Sequence, residues 1–171
     1  MSCSVSTSQL YIPYIEPEYV ALVPVMTSNT TPSGEAFAHG AFSGYSAYHA
    51  FDGVYLHDHA DYNAWGAPLA SDMYLGYKFT ESVVVKSLDI SNSDGNTAFK
   101  SRCIKDFILQ GSNGSAWINI QSFTNINEGT NTFNVYNSNP YLWYRLKILN
   151  NYGATDDVDV AELQFYGYTL S

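Results

Sequence analysis

The chain has 171 residues, with 7 Lys+Arg against 16 Asp+Glu for a formal charge of −9; 13 % of it is charged and 16 % aromatic. That length suits one domain with a sizeable core, and so many large apolar side chains exclude disorder by composition. The acid excess argues against nucleic acid, whose phosphates need basic clusters, and against an anionic membrane surface.

No basic start leads into an apolar run, so no cleavable signal is expected, and no run of about 18 apolar residues exists to insert in a membrane. The first 24 residues differ from the rest. Positions 1–9 are rich in Ser and Thr, and positions 10–24 alternate Tyr and aliphatics around Pro13, Pro17 and Pro24. Proline at that spacing blocks a helix and removes ladder donors, which predicts an extended arm. Such an arm packs on its own domain or on a neighbouring chain, and the sequence leaves both open.

From residue 25 onward, alternating apolar and polar positions separated by turn residues dominate. One helical turn is expected at 46–51. Met73, Leu75, Tyr77 and Phe79 alternate with Tyr74, Gly76 and Lys78. The β-branched run 83–90 slips phase near Lys86 and Ser87, which suggests a bulge. Phe107 and Leu109, then Gly111 to Gly114, then Trp117, Ile118 and Ile120 read as a hairpin. Phe133 and Val135 make a short strand; Leu142, Tyr144, Leu146 and Ile148 alternate with Trp143, Arg145 and Lys147; Ala161, Leu163 and Phe165 make the last strand. Trp65 and Trp117 are expected in the core. Many short strands with loop punctuation predict one all-β sandwich or barrel over 25–168. Cys3 and Cys103, far apart, make no disulfide framework.

Several segments in this order are more specific: Ala50-Phe51-Asp52-Gly53, then Trp65, then 74–79 (YLGYKF), 83–87 (VVVKS), 104–113 (IKDFILQGSN), 144–148 (YRLKI) and 160–167 (VAELQFYG). Together they resemble the F5/8 type C, or discoidin-like, domain, which includes the family 32 carbohydrate-binding modules. The run 24–34 (PVMTSNTTPSG) resembles the opening of such domains in phage tail and fibre proteins. The resemblance implies an eight-stranded antiparallel jelly-roll sandwich, without catalytic activity, whose loops at one end bind ligand. It also implies a structural calcium near the Asp-Gly turn and the Ala-Glu of the last strand. The segment between Gly53 and Trp65 is longer than usual for the family.

Calcium wants six to eight oxygens. Asp52 and Glu162 match the family's side-chain ligands, carbonyls near Ala50 and Ala161 add to them, and Asp58 and Asp61 are the extra carboxylates. The alternative is that Asp52 only caps a turn while Glu162 faces solvent. His57-Asp58-His59 invites a transition metal, but polar loop residues contacting ligand or water are the better reading. A sugar site needs an aromatic plate and fixed hydrogen-bonding groups, and the loops offer Tyr45, His57, His59, Tyr62, Asn63, Asn96, Phe99, Arg102 and Tyr152. Lys100, Arg102 and Lys105 form a local positive spot suited to an acidic sugar or phosphate; for Arg102, a salt bridge to a nearby Asp is the equal alternative. No nucleophile elbow, phosphate loop or zinc-protease helix appears. The resulting expectation is a free-standing carbohydrate-binding phage virion protein, homo-oligomeric in the particle. It would attach to a bacterial surface polysaccharide and dock on other virion proteins through its arm. A decoration or tail subunit with a degenerate pocket is the alternative role, and an extracellular or cell-surface module the alternative location.

Overall fold

The strands follow from the alternation. In the computed structural model, which describes residues 18–55, 63–92 and 100–170, the order is β1 (Val20–Ala21), β2 (Glu35–Ala38), β3 (Trp65–Pro68), β4 (Tyr74–Ser91), β5 (Ile104–Ser112), β6 (Ile118–Phe123), β7 (Thr130–Asn134), β8 (Tyr141–Asn151), β9 (Asp157–Val160) and β10 (Glu162–Thr169). Short 3-10 turns cover Ala47–Phe51, where the helical turn was predicted, and Lys100–Arg102.

One strand organises the sandwich. The first part of β4 pairs with β2 on one side and β8 on the other, and its second part pairs with β10 and β7. It therefore runs out of a five-stranded sheet, β2-β4-β8-β5-β6, into a second sheet, β1-β10-β4-β7. Register slips between Lys78 and Val83, where it passes from one to the other. The named pairs are all antiparallel, and β3 pairs with β9 as a separate ribbon. Eight strands thus form one hydrogen-bonded network, with the ribbon in addition. This is the jelly-roll sandwich the resemblance implies.

The inward phase of each strand fills the space between the sheets, with Leu75, Tyr77, Val85, Leu88, Phe107, Leu109, Tyr144, Leu146, Leu163 and Phe165 all buried. The predicted slip near Lys86 is real. Tyr166 pairs with Ser87 and Gly167 with Val85, leaving Lys86 unopposed as a bulge. Gly167 is needed there, because a Cβ would stand 1.9 Å from the Val84 carbonyl oxygen.

Two expectations are refined. The last residues read as an arm lie on their own domain: β1 pairs with β10, Leu22 N–H donates to the Phe165 carbonyl at 2.8 Å, and the Gln164 amide clasps both the N–H and the carbonyl of Val23. Residues 1–17 lie outside the described residues. Trp65 is fully buried as predicted, but Trp117 is not a core residue. The turn after β5 is wider than the Gly111–Gly114 pattern suggested. It carries Trp117 past the end of the pleat and back over the outer face of the five-stranded sheet.

Candidate functional site

The end of the sandwich where β4 finishes and β5 and β10 begin gathers most of the described candidate residues. The turn at Ala47–Phe51 ends on Asp52, and Gly53 follows at φ +79°, the left-handed region glycine tolerates. Asp52 Oδ1 accepts from Val54 N–H at 3.0 Å, its Oδ2 meets His49 Nδ1 at 3.0 Å, and Glu162 Oε2 accepts from Gly53 N–H at 3.1 Å. Asp52 therefore does cap the turn. Glu162, however, is 2 % exposed, so the solvent-facing alternative for it does not hold. Burial, with the Asp52 charge adding to it, pushes the Glu162 carboxyl up to about 8. Burial also raises Asp52, against an opposing contribution from His49. Ala50 and Ala161 are buried beside these two carboxylates in sequence. Asp58 and Asp61 lie outside the described residues, and among the described residues no group of three or more His, Cys, Asp or Glu converges as a metal cage.

The predicted positive spot is largely spoken for within the chain. Lys100 Nζ lies 2.5 Å from Glu128 Oε2. Arg102 Nε lies 3.0 Å from Asp157 Oδ2 and its Nη1 3.7 Å from Asp159 Oδ2. The salt-bridge alternative for Arg102 is thus what the structure shows. Asp157 and Asp159 are buried on β9, and burial with the Asp157 charge pushes Asp159 up to about 6. Lys105 Nζ sits 5.8 Å from the centre of the Tyr152 ring, whose hydroxyl donates to the Ile126 carbonyl. Tyr45 and Asn63 are half-buried on either side of the turn, with the Tyr45 carbonyl accepting from Gly66 N–H at 3.4 Å. His57, His59, Tyr62, Asn96 and Phe99 lie outside the described residues.

A second constellation, not foreseen from the sequence, covers the outer face of the five-stranded sheet. Register places Phe37, Gly76, Arg145 and Gln110 side by side across β2, β4, β8 and β5, with Lys78 opposite Trp143 in the next row. A Cβ on Gly76 would stand 2.6 Å from the tip of the Phe37 ring and 2.7 Å from Arg145 Cβ, so the glycine leaves room for the ring to approach the strand. Phe37 touches Tyr74, Trp117 and Trp143, with ring centres 6.0, 6.1 and 5.4 Å away. The Arg145 guanidinium lies 4.1 Å from the Trp117 ring and 4.8 Å from Tyr74, and Lys78 Nζ lies 4.7 Å from Trp143. Trp117 and Trp143 also line an open cavity of about 220 Å³ with Ser112, Gly114, Ser115 and Ala116. The signal for this face was in the outward phase of the strands. Tyr74 and Lys78 on β4, and Trp143, Arg145 and Lys147 on β8, stand where a plain solvated face carries Ser or Thr.

Comparison with known proteins places these features. The Sad1 / UNC-like C-terminal family model matches residues 48–169. Among solved structures, the chain is similar to the family 32 carbohydrate-binding module of Clostridium perfringens NanJ in complex with galactose, at 15 % identity and TM-score 0.65, covering 87 % of this chain and 99 % of that one. It is likewise similar to the family 32 module of Streptococcus pneumoniae EndoD (11 % identity, TM-score 0.65, 87 % and 100 % covered). A third is chitosan-binding module 1 of a chitosanase/glucanase from Paenibacillus sp. IK-5 (17 % identity, TM-score 0.64, 86 % and 99 % covered). No curated protein matches the sequence significantly. The strand order, the inward pattern and the match over most of the sandwich converge: the chain belongs to the Sad1 / UNC-like C-terminal family and has the discoidin-like fold.

Proposed function

We propose that this domain is a non-catalytic glycan-binding module. The observation that carries the reading is the aromatic platform on the five-stranded sheet. Trp117, Trp143 and Phe37 offer flat apolar plates beside an open cavity that Ser112 and Ser115 also line. Aromatic plates with a few fixed hydrogen-bonding groups suit the apolar ring faces and hydroxyl edges of a saccharide. Support also comes from similar structures being carbohydrate-binding modules, one of them with galactose. A glycan array probed with the whole chain and with the Trp117→Ala/Trp143→Ala double variant tests the reading. Retention of at least one glycan class, reduced about tenfold or more in the variant, is expected. A wild-type chain that retains no glycan sinks it.

Two finer parts belong to the same proposal. The Asp52–Gly53 turn and Glu162 would hold a structural calcium with carbonyls near Ala50 and Ala161, since oxygen donors and two interacting carboxylates, Glu162 buried and Asp52 half-buried, suit a hard cation. Its role would be to compensate their charge and fasten the turn to β10. The domain would serve as a virion attachment protein for a bacterial surface polysaccharide, a reading supported by the resemblance of 24–34 to phage tail and fibre domains. Single sugar sites are weak, so attachment would draw on many copies. If particles lacking the protein adsorb to host cells as well as complete particles do, the attachment role is wrong.

A further inference from the structure

The outer face is cationic as well as aromatic, in a chain of net charge −9. Arg145, Lys78 and Lys147 are three of its seven Lys and Arg, all on the outward phase of β4 and β8. Lys147 is offset by Asp72 at 3.5 Å, much as Lys100 and Arg102 are offset at the loop end. Arg145 and Lys78 are different. Among the described residues neither makes an ion pair with a carboxylate, although Glu35 stands opposite Lys78 in the register.

Arg145 is also held as a ligand-binding arginine would be. It is only 9 % exposed, with Trp117 over the guanidinium at 4.1 Å and the Tyr74 ring at 4.8 Å. Its Nε donates to Gln110 Oε1 at 2.8 Å, and Gln110 in turn donates from Nε2 to Asn119 Oδ1 at 2.7 Å. Among the described residues the two terminal nitrogens make no hydrogen bond, and neither is among the buried, unpartnered polar atoms. A planar fork whose position is set by stacked rings and a neutral amide, and whose terminal nitrogens have no hydrogen-bond partner among the described residues, is pre-organised for a two-oxygen anion. A half-desolvated cation that feels Asp72 only at longer range, with no carboxylate in ion-pair contact among the described residues, gains from such a partner more than an exposed lysine does.

We infer that this face recognises an anionic saccharide, its ring stacked on the Trp117–Trp143–Phe37 platform and its carboxylate or phosphate on the free edge of Arg145, with Lys78 as a second charged anchor. The inference rests on the glycan-binding reading and adds the ligand's charge class. It also moves the acidic-sugar site from Lys100 and Arg102, which have internal partners, to the sheet face.

The test is an array of neutral, carboxylated and phosphorylated saccharides probed with the whole chain, followed by titration of the strongest ligand against variants and salt. Expected are retention of carboxylated or phosphorylated glycans over their neutral counterparts and weaker binding as salt rises. Arg145→Gln should lose about tenfold or more, and Lys78→Gln about threefold. Because Arg145 is nearly buried, its variant must first show an unchanged melting midpoint. Lys78→Gln, on a half-buried side chain without an ion pair, and Lys78→Arg, which should retain binding, decide the matter if it does not. Retention of neutral glycans alone overturns this inference and leaves the glycan-binding reading standing. So does anionic binding that ignores salt and Lys78→Gln. Retention of nothing overturns both.

Discussion

Gly76 shows how one missing Cβ shapes a surface. With the Tyr144 carbonyl oxygen 2.4 Å from where a methyl would go, and the Phe37 ring and Arg145 Cβ almost as close, the platform exists only over glycine. Gly76→Ala is expected to lower stability by about 1–3 kcal/mol, as overpacking does, and to weaken glycan binding by displacing Phe37. A melt and a titration on the same protein check both effects, and unchanged values in both would refute the role given to Gly76. Glu162 makes the opposite point, that a side chain can be kept where its charge is unwelcome. Its carboxyl titrates near 8 in the fold against an ordinary 4.5. Between those values the unfolded chain has released a proton that the folded chain retains, so stability falls as pH rises and levels off above the folded value. In chelator, the unfolding free energy should therefore fall from about pH 5 to pH 8, by at most about 1.4 kcal/mol per pH unit, and the melting midpoint should fall with it. Glu162→Gln should flatten that slope; a profile with the same slope in the variant would show that another group is responsible.

At the scale of elements, β4 is what makes two sheets out of one hydrogen-bonded network, and the Tyr144 hydroxyl fastens the place where it crosses. That hydroxyl donates to the Val83 carbonyl at 2.9 Å and accepts from Val85 N–H at 3.3 Å and Asn137 Nδ2 at 3.1 Å. Burial pushes it up to about 12, consistent with a hydroxyl that stays neutral in the core. Tyr144→Phe leaves two of these buried groups short of a partner, and a loss of about 1–3 kcal/mol by urea denaturation is expected. At the sheet edge, β1 and the Gln164 clasp cover β10. Deleting residues 1–23 should lower the melting midpoint by several degrees and expose that edge to pairing with other chains. A chain that melts unchanged and stays monodisperse after the deletion would show that this segment contributes nothing to the sandwich.

For the molecule as a whole, charge is distributed unevenly. Acids collect at the loop end, where Asp52, Asp157, Asp159 and Glu162 are buried or nearly so, while Lys78 and Arg145, without a carboxylate ion pair among the described residues, stand on the outward phase of the five-stranded sheet. If calcium fills the Asp52–Glu162 end, adding it to chelated protein should raise the melting midpoint by linkage, more at pH 8 than at pH 5, where Glu162 must give up its proton to bind it. An unchanged midpoint at both values would end the calcium reading. Much of this was legible in the sequence. Alternation in 73–79, 142–148 and 161–165 marked the strands and their inward residues, the phase slip marked the bulge at Lys86, and Ala50–Gly53 with Ala161–Glu162 marked two segments that do meet. These are local patterns, and a pleat with period two imposes them on the chain directly. Three things were not local. That β4 serves two sheets depends on which strands it finds as partners; that Trp117 leaves the core depends on how far the turn after β5 swings; and that Arg102 is ion-paired while Arg145 and Lys78 have no carboxylate ion pair among the described residues depends on which carboxylates the register brings alongside. The sequence by itself determined a discoidin-like sandwich and its inward faces, because burial of an alternating pattern leaves little choice. Only the tertiary structure decided which outward residues share a surface, because strand register sets those neighbours across the sheet and not along the chain.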